Sequence, residues 1–189
     1  MGTNVKAKHR TDDIKSHIVF WMITIMHDNP LLSILRNPYK VLKAAGLKPG
    51  QKVLEVGCGP GFFTLPAARI VGDEGTIYAI DTNPFAIERV KKKIAREKRQ
   101  NIQPILGNAS DTGLPNQSVD LAFFFGLPHI QGGLGNVLTE MRRILRPEGT
   151  IAFAKSRGSL DNLIKEIERE GFKCSDRKAR ILVFKKVTG

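Results

Sequence analysis

Cysteine is scarce in this chain. Only Cys58 and Cys174 occur among 189 residues. One lies inside a glycine-rich stretch and the other near the C-terminus, so neither metal-ligand spacing nor a disulfide framework is present. A reducing, cytoplasmic compartment is the expectation. Long apolar runs are lacking too. The run Ile18–Met26 is too short to span a bilayer. Lys6, Lys8, His9, Arg10 and Lys15 precede it as in a secretion signal. Asp12 and Asp13 intervene, however, and His27-Asp28-Asn29-Pro30 follows where small residues should mark cleavage. Lys6 stands where an N-myristoylation signal wants Ser or Thr. A soluble protein without a transmembrane segment is expected. Acidic residues are the third shortage: 18 Asp and Glu against 30 Lys and Arg give a net charge of +12. That excess attracts anionic partners such as RNA, membrane surfaces or phosphorylated substrates, and it serves solubility equally well.

What is present is an ordinary globular composition, 41% hydrophobic and 25% charged, in a chain of one-domain size. Residues 1–50 read as a tail and helical N-terminal extension of the same domain as residues 51–189. The extension holds a helix over about Asp12–Met26 and two short helices opened by Asn29-Pro30 and Asn37-Pro38. In each pair Asn caps and Pro takes the first helical position. From Lys52 onward strands and helices alternate. Strands are predicted at Lys52–Val56, Thr76–Ile80, Ile102–Leu106, Leu121–Phe125 and Thr150–Ala154. Helices are predicted at Phe62–Val71, Pro84–Lys98, Gly135–Leu145 and Leu160–Glu170. Two β-like stretches, Phe172–Arg177 and Arg180–Val187, close the chain as an antiparallel pair at one sheet edge. The fold class is α/β: a doubly wound, mostly parallel, Rossmann-like seven-stranded sheet.

The first strand runs directly into Gly57-Cys58-Gly59-Pro60-Gly61, and a helix follows. Open α/β sheets bind ligands outside the carboxyl ends of their strands. Glycines there let the backbone turn sharply and approach a ligand closely. A dinucleotide fingerprint would read G-x-G-x-x-G, whereas this loop reads G-x-G-x-G. Glu55, two residues before the first glycine, would repel a pyrophosphate and tolerate a cation. The sulfonium and ammonium groups of S-adenosylmethionine are such cations. The second strand ends in Asp81, an acid placed to accept hydrogen bonds from a ribose diol, or alternatively to cap the next helix. The third ends in Gly107-Asn108-Ala109-Ser110-Asp111, followed by Leu114 to Asp120.

Taken in order, Val53–Gly61, Ile77–Asp81, Gly107–Asp120 and Leu145-Arg146-Pro147-Glu148-Gly149 resemble the motif set of class I S-adenosylmethionine-dependent methyltransferases, in particular the small UbiE-like (type 11) subgroup. The resemblance covers Tyr39 to Ala154. It implies S-adenosyl-L-methionine as cofactor, with Gly57, Cys58, Gly59 and Gly61 along its methionine and ribose and Glu55 orienting the loop. It further implies Asp81 on the ribose diol, Thr82 against the adenine, the Ala109 N–H on the ring edge, and Phe125 at the fourth strand's end. Where the family usually has an acid to accept from the adenine amino group, this chain has Asn108, which accepts without charge assistance.

No catalytic dyad is evident, and methyl transfer by in-line displacement does not demand one. The candidate base is His129, in the loop after the fourth strand. An Asn-Pro-Pro-Tyr motif, used by methylators of adenine and glutamine amides, is absent. The apolar stretch His17–Met26 is read as a lid, a packing helix or a face for a second subunit in a homodimer; as a lid it would suit an apolar or ring-containing acceptor. Lys91-Lys92-Lys93, Arg96, Lys98 and Arg99 read as a solvated helix face. No aromatic residues interleave there to stack bases, so a small-molecule acceptor is favoured; the alternatives are an RNA or protein methyltransferase using the basic surface, or a non-catalytic adenosylmethionine-binding protein.

Overall fold

The computed structural model describes residues 37–125, 133–154, 159–178 and 181–187. The chain separates into two compact units, Met1–Asn37 and Pro38–Gly189. Beyond Asn37 every described residue lies in the second. The helices expected before Asn37, and the reading of His17–Met26, fall outside the described residues.

The elements alternate as the apolar runs predict. Helix α1 (Pro38–Ala44) precedes β1 (Lys52–Val56), α2 (Thr64–Val71), β2 (Thr76–Asp81), α3 (Pro84–Glu97) and β3 (Ile102–Leu106). Then come β4 (Val119–Phe125), α4 (Leu134–Ile144), β5 (Leu145–Ala154), α5 (Leu160–Arg169), β6 (Phe172–Lys178) and β7 (Ile181–Lys186). The seven strands form one sheet in the order β3-β2-β1-β4-β5-β7-β6. The first five are parallel, and β7 runs antiparallel to both β5 and β6. Only β7 is therefore reversed, because β6 returns to the direction of the parallel strands.

Both faces of the sheet are covered. Along β4, Leu121, Phe123 and Phe125 face one way, with Leu42 of α1, Leu65 and Val71 of α2, and Ile87 and Val90 of α3. Ala122 and Phe124 face the other, with Val137, Leu138 and Met141 of α4 and Ile167 of α5. This two-sided burial is why the strands read as continuous apolar runs. Phe124 and Phe153 stack with ring centroids 4.4 Å apart, and the Phe184 ring meets Phe153 edge-on. Neither sheet edge is a clean template for strand addition. Pro104 interrupts β3, while a bulge between Cys174 and Asp176 and the exposed Lys173, Arg177 and Lys178 blunt β6.

The starts of β4 and β5 differ from expectation for a common reason, β4 beginning at Val119 rather than Leu121 and β5 well before Thr150. β5 begins at Leu145, directly after α4, and its pairing with β4 jumps from Val119↔Leu145 to Leu121↔Thr150. Pro147-Glu148-Gly149 thus forms a bulge inside a strand rather than a turn before one. A Cβ on Gly149 would lie 2.9 Å from the Arg146 carbonyl oxygen and from Leu145 Cβ, so only glycine closes it. At the lower end of the sheet Asp120 accepts from the Lys52 N–H and pairs with Arg146, tying β4 to β1 and to this bulge.

Candidate functional site

The strand order reverses between β1 and β4, and in such sheets the crevice at the reversal is where ligands dock. The ends of β1, β2, β3 and β4 sit level there, with Val56 opposite both Ile80 and Phe124 and Asp81 opposite Leu106. The glycine loop leaves β1 at this edge. The N–H groups of Gly57 and Cys58 both donate to the Ile80 carbonyl, at 2.8 and 3.2 Å. Gly57, Gly59 and Gly61 have φ of 71°, 51° and 83°, a region where a side chain is strained. The last two differ in what surrounds them. A Cβ on Gly61 would lie 3.2 Å from Val90 Cγ2 of α3, so this glycine lets the loop pack on that helix. A Cβ on Gly59 would meet nothing within 4 Å, so this glycine borders open space.

Asp81 closes on the loop from β2. Its Oδ2 accepts from the Gly59 N–H at 2.8 Å, and its Oδ1 accepts from the Asn83 N–H at 2.9 Å. The cap of α3 is Asn83, whose side chain accepts from the Phe85 N–H, so Asp81 is not spent on capping. Each carboxylate oxygen keeps a second lone pair, enough for the two hydroxyls of a diol. Thr82 follows, exposed. The end of β3 is bound to that of β2 by the Gly107 N–H donating to the Asp81 carbonyl at 3.0 Å. Asn108 Oδ1 accepts from the Ser110 N–H at 3.0 Å, and the Asn108 carbonyl accepts from the Asp111 N–H. The oxygen expected to face an adenine thus already holds the turn, with one lone pair remaining. Ala109 is buried beside it.

Glu55 departs from its expected electrostatic role. Its side chain is 2% exposed, and the Thr64 hydroxyl at the start of α2 donates to Oε2 at 2.6 Å. Burial outweighs that hydrogen bond and, together with the Asp81 charge, pushes the carboxyl up to about 8. At neutral pH Glu55 is therefore chiefly protonated in the ligand-free protein, and it supplies no fixed charge to repel an anion. What it does is join the loop's strand to the helix after it. Cys58 is also buried, and its thiol is raised by burial, with Glu55 and Asp81 adding to the effect. Phe125 places its backbone at the edge, while its ring packs against Phe63 and Phe123 at 5.2 and 4.8 Å. His129 lies outside the described residues. Among the described residues no group of three or more His, Cys, Asp or Glu could hold a metal ion.

A further network reaches this edge without having been predicted. Glu140 of α4, 7% exposed, accepts at Oε1 from both the Thr112 N–H and the Thr112 hydroxyl, at 2.9 and 2.6 Å. Arg143 donates to both Glu140 oxygens at 2.7 Å, to the Leu114 carbonyl at 2.8 Å and to Asn116 Oδ1 at 2.7 Å. Burial alone would raise the Glu140 carboxyl, but these donors prevail and hold it at about 2. One sequence signal pointed to it. Glu140 falls on the buried stripe of α4 formed by Val137, Met141 and Ile144, where an acid needs a partner.

Comparison with known proteins gives this geometry its family. A family model described as "Methyltransferase domain" matches residues 47–184. A demethylmenaquinone methyltransferase of Geobacillus stearothermophilus is 30% identical over 151 residues, covering 76% of this chain and 64% of that enzyme. An arsenite methyltransferase of Halobacterium salinarum is 27% identical over 110 residues, covering 58% of this chain and 28% of that one. The chain thus spans less than two thirds of the length of these two relatives. A solved S-adenosylmethionine-dependent methyltransferase of Aquifex aeolicus shares the fold, with a TM-score of 0.74 at 24% identity over 87% of this chain and 96% of that one. Because the family match begins before β1 and runs into β7, taking in every strand of the sheet, the chain belongs to the methyltransferase-domain family.

Proposed function

We propose that the whole protein transfers a methyl group from S-adenosyl-L-methionine to a small-molecule acceptor, apolar or ring-containing. When bound, the donor supplies a methyl already activated by positive sulfur. The chain's own work is to hold that donor and align an acceptor with it. Asp81 takes the ribose diol on its remaining lone pairs. Gly57, Cys58 and Gly59 pass the backbone along the methionine and ribose, and Gly61 keeps that backbone packed on α3. Thr82 lies against one face of the adenine. The Ala109 N–H meets the ring edge, and Asn108 Oδ1 accepts from the amino group on its free lone pair. Phe125 contributes backbone at the end of β4 rather than a ring face. Glu55 keeps the loop in register through Thr64, and His129 is the proposed base for an acceptor that must lose a proton.

The observation that carries this reading is the open side of Gly59 directly beside the Asp81 carboxylate. A small acceptor is supported by relatives named for demethylmenaquinone and arsenite. Among the described residues no helix is long and apolar enough to cross a membrane. Lys91, Lys92, Arg96 and Lys98 stand exposed on or just after α3, with no aromatic residue interleaved among them in sequence, which does not favour nucleic acid. Pairing of two copies by strand addition is disfavoured by Pro104 and the β6 bulge. The test is calorimetric titration of S-adenosylhomocysteine into the wild type and Asp81→Ala. The substitution should weaken binding by about 1–3 kcal/mol, the cost of unpairing buried hydrogen-bond partners. Unchanged affinity would remove Asp81 from the site. Transfer of labelled methyl into small molecules of a cell extract tests the acceptor class, and label found only in RNA or protein would overturn it.

A further inference from the structure

We propose that Glu140 and Arg143 of α4 are positioning residues for the donor site, holding the loop between β3 and β4 so that Asn108 and Ala109 stay at the sheet edge. The inference rests on the reading that this loop meets the adenine. Parallel strands are usually joined by a helix that satisfies its own backbone. The connection Gly107–Ser118 contains no helix, only the isolated bridge between Asn108 and Asp111. Its backbone groups must therefore find partners elsewhere. They find them on α4. Thr112 is bound twice to Glu140, and the Leu114 carbonyl is bound to Arg143. The N–H groups of Gln117 and Ser118 donate to the carbonyls of Arg143 and Ile144 at 3.0 and 2.8 Å.

The path from this latch to the site is short and stiff. Asn108 through Asp111 is a closed turn, fixed by the Asn108 side chain on Ser110 and by its carbonyl on Asp111. Thr112 is the next residue, so the turn is anchored at the Gly107 end by β2 and at the Thr112 end by Glu140. Releasing Thr112 leaves the turn intact and frees its orientation. Arg143 matters because its planar fork spans both Glu140 oxygens, Leu114 and Asn116 together, which an ammonium could not do. A latch that served stability alone would be interchangeable with the Arg146–Asp120 pair at the opposite end of the sheet.

That contrast defines the experiment. S-adenosylhomocysteine is titrated calorimetrically into the full chain as wild type, Arg143→Ala, Arg143→Lys, Arg146→Ala and Asp81→Ala, well below each variant's unfolding temperature. Arg143→Ala should lose about tenfold in affinity, the loss of charge-assisted hydrogen bonds, with faster amide exchange across residues 108–116. Low millimolar guanidinium should restore affinity, since the Arg143 side chain is 39% exposed, and an equal concentration of sodium should not. Arg143→Lys should fall between the two, and it provides the measurement if the alanine variant does not fold. Arg146→Ala should bind as the wild type does. Normal binding by both Arg143 variants while Asp81→Ala binds weakly would overturn the positioning role alone. Normal binding by Asp81→Ala as well would overturn the reading of the site beneath it. Equal losses in the Arg143 and Arg146 variants, without guanidinium rescue, would reduce the latch to general stability.

Discussion

Replacing Glu55 by Gln should stabilise the ligand-free protein, and increasingly so as the pH rises. In the unfolded chain this carboxyl titrates near its ordinary value of 4.5, whereas burial in the folded protein raises it to about 8. Its contribution to stability is fully present below pH 4.5 and is lost as the pH rises through 8, because the unfolded chain releases the proton first. Each pH unit within that window costs about 1.4 kcal/mol, so the loss between pH 5 and pH 8 is of order 4 kcal/mol. Gln keeps the shape, still accepts from the Thr64 hydroxyl, and does not titrate. In a domain of this size each kcal/mol moves the melting temperature by about 2–4 °C, so the gap between the two proteins should open by roughly 8–16 °C. Thermal denaturation of wild type and Glu55→Gln in parallel, between pH 5 and pH 8, reads it directly. A gap that stays constant over that range would show that Glu55 ionises normally and that its burial costs nothing.

Gly59→Ala should fold, at a cost of about 1–2 kcal/mol for a Cβ in the left-handed region, yet bind S-adenosylhomocysteine at least about tenfold more weakly, because the new methyl points into open space. Gly61→Ala should instead show its main effect in melting temperature, since its Cβ presses on Val90; calorimetry and thermal denaturation of both variants separate the two roles, and the reverse pattern would exchange them. Cys58, buried with its thiol held above its ordinary value, should resist iodoacetamide in the native protein at pH 8 and react after unfolding. Peptide mass mapping that found Cys58 labelled in the native state would contradict the packing of the loop.

Much of the fold was legible because its signal is local. β1 and β3 occupy the residues that their apolar runs predicted, and for β1 burial on both faces leaves few alternatives. The expectation failed where long-range pairing decides. Pro147-Glu148-Gly149 carries every mark of a turn, yet β4 draws it into β5 as a bulge. Likewise β6 and β7 read as a hairpin, and nothing local says which of the two meets β5. Within the site, residue types were readable and their partners were not. Asp81 and Asn83 are both acceptable caps for α3, and the choice between them depends on Gly59 claiming an oxygen of Asp81 from across the loop. Thr112 gave no local sign, because its partner Glu140 is distant in sequence.

Glu55 shows how a sound conclusion can stand beside a mistaken reason. A carboxylate near the glycine loop read as a charge selecting a cationic donor over a pyrophosphate. The folded chain buries that group, so its proton and not its charge is what the ligand-free loop presents. Selection must therefore lie elsewhere. Gly57 and Cys58 both spend their N–H groups on the Ile80 carbonyl, and Gly59 spends its own on Asp81. A pyrophosphate needs free backbone N–H groups at this position, and three in succession are already committed. These three donors are turned onto the second strand, while the lone pairs left on Asp81 remain open to hydroxyl donors. What G-x-G-x-G specifies here is a backbone turned inward on the second strand, with its acceptors rather than its donors facing outward at Asp81.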